Sequence, residues 1–149
     1  MVMQRVDKVN YYLDIAENVA KRSTCLRRKY GAVIVKNDEI IATGYNGAPR
    51  GDKNCCEIGE CHREKLGVPK GERYELCVAV HAEQNAVISA SRQEMIGSTL
   101  YITGLEADGK YANPKPCLIC GRIIKNSGIE KVIGRNIDGE IIEYVVSEL

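Results

Sequence analysis

The 149-residue sequence contains no phenylalanine and no tryptophan, so leucine, isoleucine, valine, alanine and tyrosine must build the core. It also has no excess of one charge, because the formal net charge is only +1. Proteins that bind nucleic-acid polymers usually carry a basic excess that neutralises phosphates, so we expect no nucleic-acid partner. At this length we expect one domain, residues 1–149, with a substantial core.

The sequence also lacks a segment that would direct it to a membrane. The stretch from Met1 to Lys8 has no apolar core of a signal peptide, and no run approaches the roughly 20 apolar residues of a transmembrane helix. Without secretion, the seven cysteines are expected to be reduced thiols and metal ligands rather than disulfides. We therefore predict a cytoplasmic protein with no membrane partner.

Apolar patterns predict helices and strands that alternate along the chain. An amphipathic helix is expected from Val6 to Arg22, and Gly31–Lys36 and Ile40–Gly44 predict a β-hairpin. Further helices are predicted at Ala82–Arg92 and Cys117–Asn126, and further strands at Thr99–Thr103, Lys131–Gly134 and Ile141–Val146. Long loops are expected between them, at Tyr45–Tyr74 and Gly104–Pro116. This order favours an α/β fold with helices packed on the faces of a mixed sheet.

Two short motifs place metal-binding side chains at the starts of predicted helices. An H-x-E motif runs from His81 to Glu83, and a P-C-x-x-C motif supplies Cys117 and Cys120. A helix N-terminus stabilises the thiolate that binds zinc, and a spacing of three directs both sulfurs toward one point. One nitrogen and two sulfurs leave one position of a tetrahedral Zn²⁺ open, as in catalytic rather than structural sites.

Such a site suits hydrolysis. Zinc lowers the pKa of a bound water from about 15.7 to about 7. Glu83 would lie beside this water and carry its proton to a ring nitrogen and then to a departing amine. The two motifs together are typical of zinc-dependent nucleobase deaminases. A C-x-x-C motif alone would equally suit a redox pair or half of a structural zinc site.

With these motifs, the chain resembles the deoxycytidylate (dCMP) deaminases within the cytidine deaminase superfamily. The catalytic motifs are common to the superfamily, whereas the Gly44–Gly47 loop favours the deoxycytidylate branch. Further matching segments are Arg22–Cys25, Gly31–Val35 and Thr99–Thr103. The resemblance implies a three-layer α/β/α sandwich with a central five-stranded mixed sheet, assembled as a hexamer. It also implies zinc-dependent hydrolysis of dCMP to dUMP and ammonia.

The resemblance implies binding residues as well. Asn46 would contact the nucleotide, and Ala82 would meet the pyrimidine through its backbone. In regulated members dCTP activates and dTTP inhibits, with Mg²⁺ entering only together with such an effector. The positions that match this effector site are Gly44, Tyr45, Gly47 and Arg92. A tight turn after a strand would also account for glycine and asparagine in this loop.

Some members of the family carry a second, structural zinc, whose ligands match Cys25 and Cys55. The other two ligands could come from Cys56, Cys61, His62 and Cys77. Because closed zinc sites prefer four protein ligands, we favour the set Cys25, Cys55, Cys61 and Cys77. In this set Cys77 lies where the long loop rejoins the core. Reduced thiols that are simply buried are the alternative.

The sequence leaves two questions open. Substrate phosphate could bind Arg27, Arg28, Lys29 or Arg50, although a solvated basic face would look the same. The scaffold could also serve a deaminase of cytidine, guanine or tRNA adenosine, or a binding protein for DNA uptake that keeps zinc only for structure. The low net charge disfavours a tRNA substrate, and Glu83 disfavours a purely structural site.

Overall fold

A five-stranded sheet organises the chain, with the strand order β2-β1-β3-β4-β5. The computed structural model describes residues 4–69 and 77–149. Its strands are β1 (Arg28–Lys36), β2 (Glu39–Tyr45), β3 (Thr99–Glu106), β4 (Lys131–Arg135) and β5 (Ile141–Val145). Strands β3 and β4 pair in parallel, and the other three pairs are antiparallel. The expected mixed five-stranded sheet is therefore confirmed.

Helices cover both faces of this sheet. They are α1 (Lys8–Ala20), α2 (Cys55–Ile58), α3 (His62–Lys65), α4 (Ala82–Ile88), α5 (Arg92–Met95) and α6 (Leu118–Ser127). Helix α1 packs on one face, and α4 and α6 contribute to the core on the other. The expected α/β/α sandwich is thus confirmed. None of the helices in residues 4–69 and 77–149 is long and apolar enough to cross a bilayer.

The core consists of two apolar layers separated by the sheet. Val33 and Val35 of β1 face α1, whereas Ala32 and Ile34 face the side of α4 and α6. Successive residues of a strand point to opposite faces, so a continuous apolar run is what a strand buried on both sides requires. Aliphatic side chains fill both layers, together with tyrosines such as Tyr101.

Two predicted boundaries near the site were wrong. The helix that begins at Ala82 ends at Ile88 instead of reaching Arg92. Ser91 starts a separate helix, because its Oγ accepts a hydrogen bond from the Glu94 N–H at 3.2 Å while the Glu94 carboxylate accepts the Ser91 N–H. Strand β3 also continues past Thr103, since its pairing with β1 extends over the first residues of the predicted loop.

The long predicted loop after β2 is partly ordered by the two short helices α2 and α3. Gly47, near the start of this loop, and Val80, which follows it, exchange backbone hydrogen bonds of 3.1 and 2.7 Å. Residues 1–3 and 70–76 lie outside the described residues. The loop predicted to reach Tyr74 is therefore followed only to Pro69, and the start of the segment considered for a signal peptide is also outside.

Gly44 allows helix α4 to lie directly against strand β2. A Cβ atom at this position would be 2.4 Å from the Ala86 nitrogen and 2.5 Å from the Ala82 oxygen. Both atoms belong to the helix backbone, so no side-chain rotation would relieve the overlap. The absence of a side chain at residue 44 therefore sets the distance between the sheet and the helix that follows His81.

We expect Gly44→Ala to lower the free energy of unfolding by about 1–3 kcal/mol, because α4 would have to move away from β2. Urea denaturation measures this change. Gly121→Ala in α6 is the matched control, since the nearest atom to its added Cβ is 3.4 Å away and alanine favours a helix. Equal stability of Gly44→Ala and the unchanged protein would contradict the tight contact.

Candidate active site

Two helix N-termini meet at the site. His81 is the N-cap residue of α4, Cys117 is the N-cap residue of α6, and Cys120 lies in the first turn of α6. His81 Nδ1 is 3.2 Å from Cys120 Sγ and 3.6 Å from Cys117 Sγ. In the part of the chain that is described, these three form the group of metal-binding side chains with ligand atoms all within 4.8 Å of one another.

Local hydrogen bonds fix both helix starts. The sulfur of Cys117 accepts a hydrogen bond from the Cys120 N–H at 3.4 Å. The His81 N–H donates to Gln84 Oε1 at 2.8 Å, which closes the first turn of α4. The side chain of Asn85 ties the same helix to β2 by donating to the Tyr45 carbonyl at 2.8 Å.

The three side chains fit a zinc ion. Zinc binds histidine nitrogen at about 2.0–2.1 Å and cysteine sulfur at about 2.3 Å in tetrahedral geometry, which places N and S roughly 3.6 Å apart. The observed separations of 3.2 and 3.6 Å are close to this arrangement. With three protein ligands among the described residues, the fourth position is available for water or substrate.

The two cysteines differ in their proton affinity. A hydrogen bond with the Cys120 thiol lowers the pKa of Cys117 to about 4. The same hydrogen bond, together with burial, raises the pKa of Cys120. The hydrogen bond with Cys117 also raises the pKa of His81. Without a metal the pair thus loses its first proton from Cys117 and retains the second, which zinc binding would release.

Glu83 places a buried carboxyl group at the same point. It lies in the first turn of α4, is only 6% exposed, and hydrogen-bonds with the Cys120 side chain. Burial raises the pKa of this carboxyl group. A carboxyl group with a raised pKa can both accept and donate a proton near neutral pH, as a general acid–base requires.

A cavity opens over these groups and includes both predicted substrate-binding residues. Asn46 and Ala82 line it together with His81, Glu83 and Cys117. The Asn46 amide is partly engaged, because its Oδ1 accepts the Tyr30 N–H at 2.8 Å and its Nδ2 donates to the Arg28 carbonyl at 3.0 Å. The second N–H of this amide can serve a ligand.

The cysteines predicted to hold a second zinc lie beside this cavity. Cys25, Cys61 and Cys77 line it, and burial raises the pKa of the neighbouring Cys55, with the charges of the other three adding to the effect. Cys56 is exposed. Within residues 4–69 and 77–149, however, only the His81 group brings three metal-binding side chains within 4.8 Å. The four sulfurs are thus neighbours without forming an equally close group.

Three predicted effector residues, Gly44 and Tyr45 at the end of β2 and Gly47 just after it, support the start of α4. Gly44 admits the helix against the sheet, and the Tyr45 carbonyl accepts the hydrogen bond from Asn85. Gly47 exchanges two backbone hydrogen bonds with Val80, the residue directly before the metal-binding imidazole. The segment Gly44–Gly47 therefore holds the chain on both sides of the H-x-E motif.

The fourth predicted effector residue, Arg92, lies elsewhere. Its Nε donates to the Asn126 carbonyl at 3.1 Å, near the end of α6. Arg92 is not among the residues that line the cavity. Its visible contact thus joins α5 to α6, away from the metal-binding group.

The basic residues divide into two groups. Arg27 and Arg28 line the cavity, as expected for phosphate candidates, whereas Lys29 and Arg50 are not among its lining residues. Two cations that the sequence did not single out, Arg63 and Lys115, also line it. The position of Lys115 directly before the P-C-x-x-C motif was the available signal. No pattern indicated Arg63, because it lies in a segment predicted to be a loop.

Comparison with known proteins indicates a zinc-binding site as well. The model of the family described as "Cytidine and deoxycytidylate deaminase zinc-binding region" matches residues 6–135. The deoxycytidylate deaminase of Mycobacterium phage D29 is 43% identical over 136 residues, which cover 88% of this chain and 96% of the phage protein. The deoxycytidylate deaminase of Schizosaccharomyces pombe is 38% identical over 124 residues, which cover 83% of this chain but only 35% of the yeast protein.

A solved structure is also similar. The dCMP deaminase from the cyanophage S-TIM5, in complex with dCMP and dUMP, superimposes with a TM-score of 0.63 at 32% sequence identity. The match covers 90% of this chain and 85% of the cyanophage chain. From the family match, the relatives and the His/Cys/Cys site, we conclude that this chain belongs to the zinc-binding cytidine and deoxycytidylate deaminase family.

Proposed function

We propose that this chain hydrolyses dCMP to dUMP and ammonia. The observation that carries the proposal is the buried Glu83 carboxyl group beside a three-ligand metal site that opens into a cavity. A structural zinc site has no use for such a carboxyl group or for an open position. The names of the similar phage and yeast proteins, and the dCMP and dUMP bound to the cyanophage protein, support this substrate.

In the proposed mechanism, His81, Cys117 and Cys120 would hold the zinc ion. When bound, zinc would lower the pKa of a water molecule so that it can give up a proton and attack as hydroxide at neutral pH. Glu83 accepts a proton from this water and donates it to the ring nitrogen next to the amino-bearing carbon. A C–O bond forms at that carbon, and Glu83 then moves the second proton of the same oxygen to the amino group. The C–N bond breaks to release ammonia while the C–O bond becomes the carbonyl of dUMP.

We propose that two residues of the cavity orient the nucleotide. The backbone of Ala82 faces the pyrimidine, and the second amide N–H of Asn46 binds the sugar or phosphate. Both residues line the cavity, and Ala82 is fully buried between the metal ligand and the catalytic carboxyl group. A structure with dUMP bound tests both contacts, and a nucleotide that touches neither residue would contradict them.

The substrate and the role of Glu83 are tested together by ammonia release. We expect the protein to prefer dCMP over CMP, deoxycytidine and dCTP. Glu83→Gln should retain zinc and the fold but lose roughly 100- to 10,000-fold in turnover, because no group moves the protons. Glu130→Gln is the control, since Glu130 is exposed. A preference for deoxycytidine would refute the substrate, and near-normal activity of Glu83→Gln would refute the proton transfer.

We further propose a structural zinc held by Cys25, Cys55, Cys61 and Cys77. Their proximity supports it, because Cys25, Cys61 and Cys77 line one cavity and, after burial, their charges add to the raised pKa of Cys55. The backbone N–H of Cys56 donates to the Thr24 carbonyl at 3.2 Å, which joins α2 to the segment that carries Cys25. This hydrogen bond keeps the segments that carry two of the proposed ligands next to each other.

Cys61→Ser should remove about one zinc per chain and lower the melting temperature by more than about 3 °C, the shift that roughly 1 kcal/mol produces in a chain of this size. Metal analysis and calorimetry measure the two effects. Cys56→Ser is the matched control, because Cys56 is exposed and adjacent to the proposed ligand Cys55. Unchanged zinc content in Cys61→Ser would indicate that the cysteines are reduced, buried thiols.

We also propose that the protein works as a cytoplasmic hexamer that dCTP activates and dTTP inhibits, with Mg²⁺ accompanying the triphosphate. Its exposed apolar side chains support association, since Ile88 and Leu118 are 75% and 76% exposed on α4 and α6. Sedimentation should give six chains, and dTTP should lower the rate of dCMP deamination. A monomer, or a rate unaffected by either triphosphate, would contradict the respective part of this proposal.

A further inference from the structure

Among the residues that the structure describes, four cationic side chains line the cavity that contains Glu83. They come from β1 and the segment before it, from α3 and from the loop before α6, and they are Arg27, Arg28, Arg63 and Lys115. A nucleoside monophosphate carries a phosphate that any of them could attract. Their existing contacts distinguish them.

The two arginines at the start of β1 are paired with carboxylates of the protein. Arg27 Nε lies 2.9 Å from Glu64 Oε1. Arg28 Nε donates to both carboxylate oxygens of Glu106, at 3.0 and 3.1 Å. A phosphate that bound either arginine would have to compete with a carboxylate already in place.

Arg63 is committed to its own segment. It is buried, and its Nη2 donates to the Pro69 carbonyl at 3.3 Å. This hydrogen bond links α3 to the chain that follows it. Arg63 therefore already has a structural role within the protein, and this role does not require a bound substrate.

Lys115 differs from the three arginines. Its side chain is exposed at the cavity, and among the described residues no carboxylate lies within ion-pair distance of its ammonium group. Its ammonium group is thus available to an incoming anion. Lysine is a common phosphate ligand, because its ammonium group is a compact charge with three donors.

The backbone of Lys115 is nevertheless fixed. Its N–H donates to Asn113 Oδ1 at 3.0 Å, and the Asn113 carbonyl accepts the Tyr30 hydroxyl at 2.9 Å. Pro116, with its restricted φ angle, and the metal ligand Cys117 follow directly. The Cα atom of Lys115 is therefore held relative to the metal site, while its long side chain can follow a ligand.

A positive charge at this position also answers an electrostatic need. A divalent cation is neutralised by the two thiolates of Cys117 and Cys120, so it leaves no surplus positive charge for a phosphate. A cation on the cavity wall supplies the missing attraction, and Lys115 lines this wall.

We infer that Lys115 binds the 5′-phosphate of the substrate and is the residue that makes a nucleoside monophosphate preferable to a nucleoside. The inference rests on the proposed function and adds to it the residue that recognises phosphate. The contact it describes is noncovalent, so the role of Lys115 is in substrate specificity rather than in proton transfer.

The test compares phosphorylated and unphosphorylated ligands on the zinc-loaded protein. Lys115→Met should lower kcat/KM for dCMP by roughly 10- to 100-fold, mainly through KM, and leave kcat/KM for deoxycytidine unchanged. Lys115→Arg should keep most of the kcat/KM for dCMP, because arginine retains the positive charge. Lys110→Met is the matched control, since Lys110 is an exposed lysine of the same loop that does not line the cavity.

Calorimetry gives a second readout that does not require turnover. Lys115→Met should weaken binding of dUMP by a similar factor and leave binding of deoxyuridine unchanged. An equal loss of kcat/KM for dCMP and deoxycytidine, or of affinity for dUMP and deoxyuridine, would overturn the inference. So would a loss confined to the phosphorylated ligands in Arg28→Gln but not in Lys115→Met. If the unchanged protein binds dUMP through Lys115 but releases no ammonia from dCMP, the proposed function fails and this inference does not.

Discussion

The close approach of helix α4 to strand β2 is the contact on which the site depends. Gly44 lets the helix backbone lie against the sheet, and the Asn85–Tyr45 hydrogen bond holds it there. His81 and Glu83 flank the first residue of this helix, so a fixed helix start places the imidazole and the carboxyl group together. A rigid framework of helices and strands keeps a metal ligand and a proton-transferring group in fixed positions relative to each other.

The shifted pKa values in the cavity follow from the way in which the two helix starts bring Glu83 and the cysteines together. Burial raises the pKa of Glu83, while a hydrogen bond between the two thiols lowers the pKa of Cys117 and raises that of Cys120. The site thus brings a thiolate at Cys117 close to two groups that tend to keep their protons, Cys120 and Glu83. A divalent cation compensates the negative charge of the thiolates, and its binding displaces protons from the ligands.

Short-range patterns in the sequence predicted the strands and the helices that cover them. The grouping of one imidazole with two thiols is a long-range contact, and it was predicted because the two motifs together are typical of zinc-dependent nucleobase deaminases. Cys117 and Cys120 lie in one helical turn, so their spacing already brings the sulfurs together. The end of the helix at Ile88 was not predicted, because it depends on the Ser91–Glu94 capping pair that starts α5. The place of Lys115 was also missed, because it depends on long-range contacts such as that between Tyr30 and the loop before α6.

The cavity has walls of two different origins. The metal-binding side chains and Glu83 come from helix starts anchored on the sheet, whereas Cys61 and Arg63 come from the long connection after β2. The reacting groups and this part of the cavity wall therefore belong to separable parts of the chain. A connection of different length or composition could reshape the cavity while the reacting groups remain where they are.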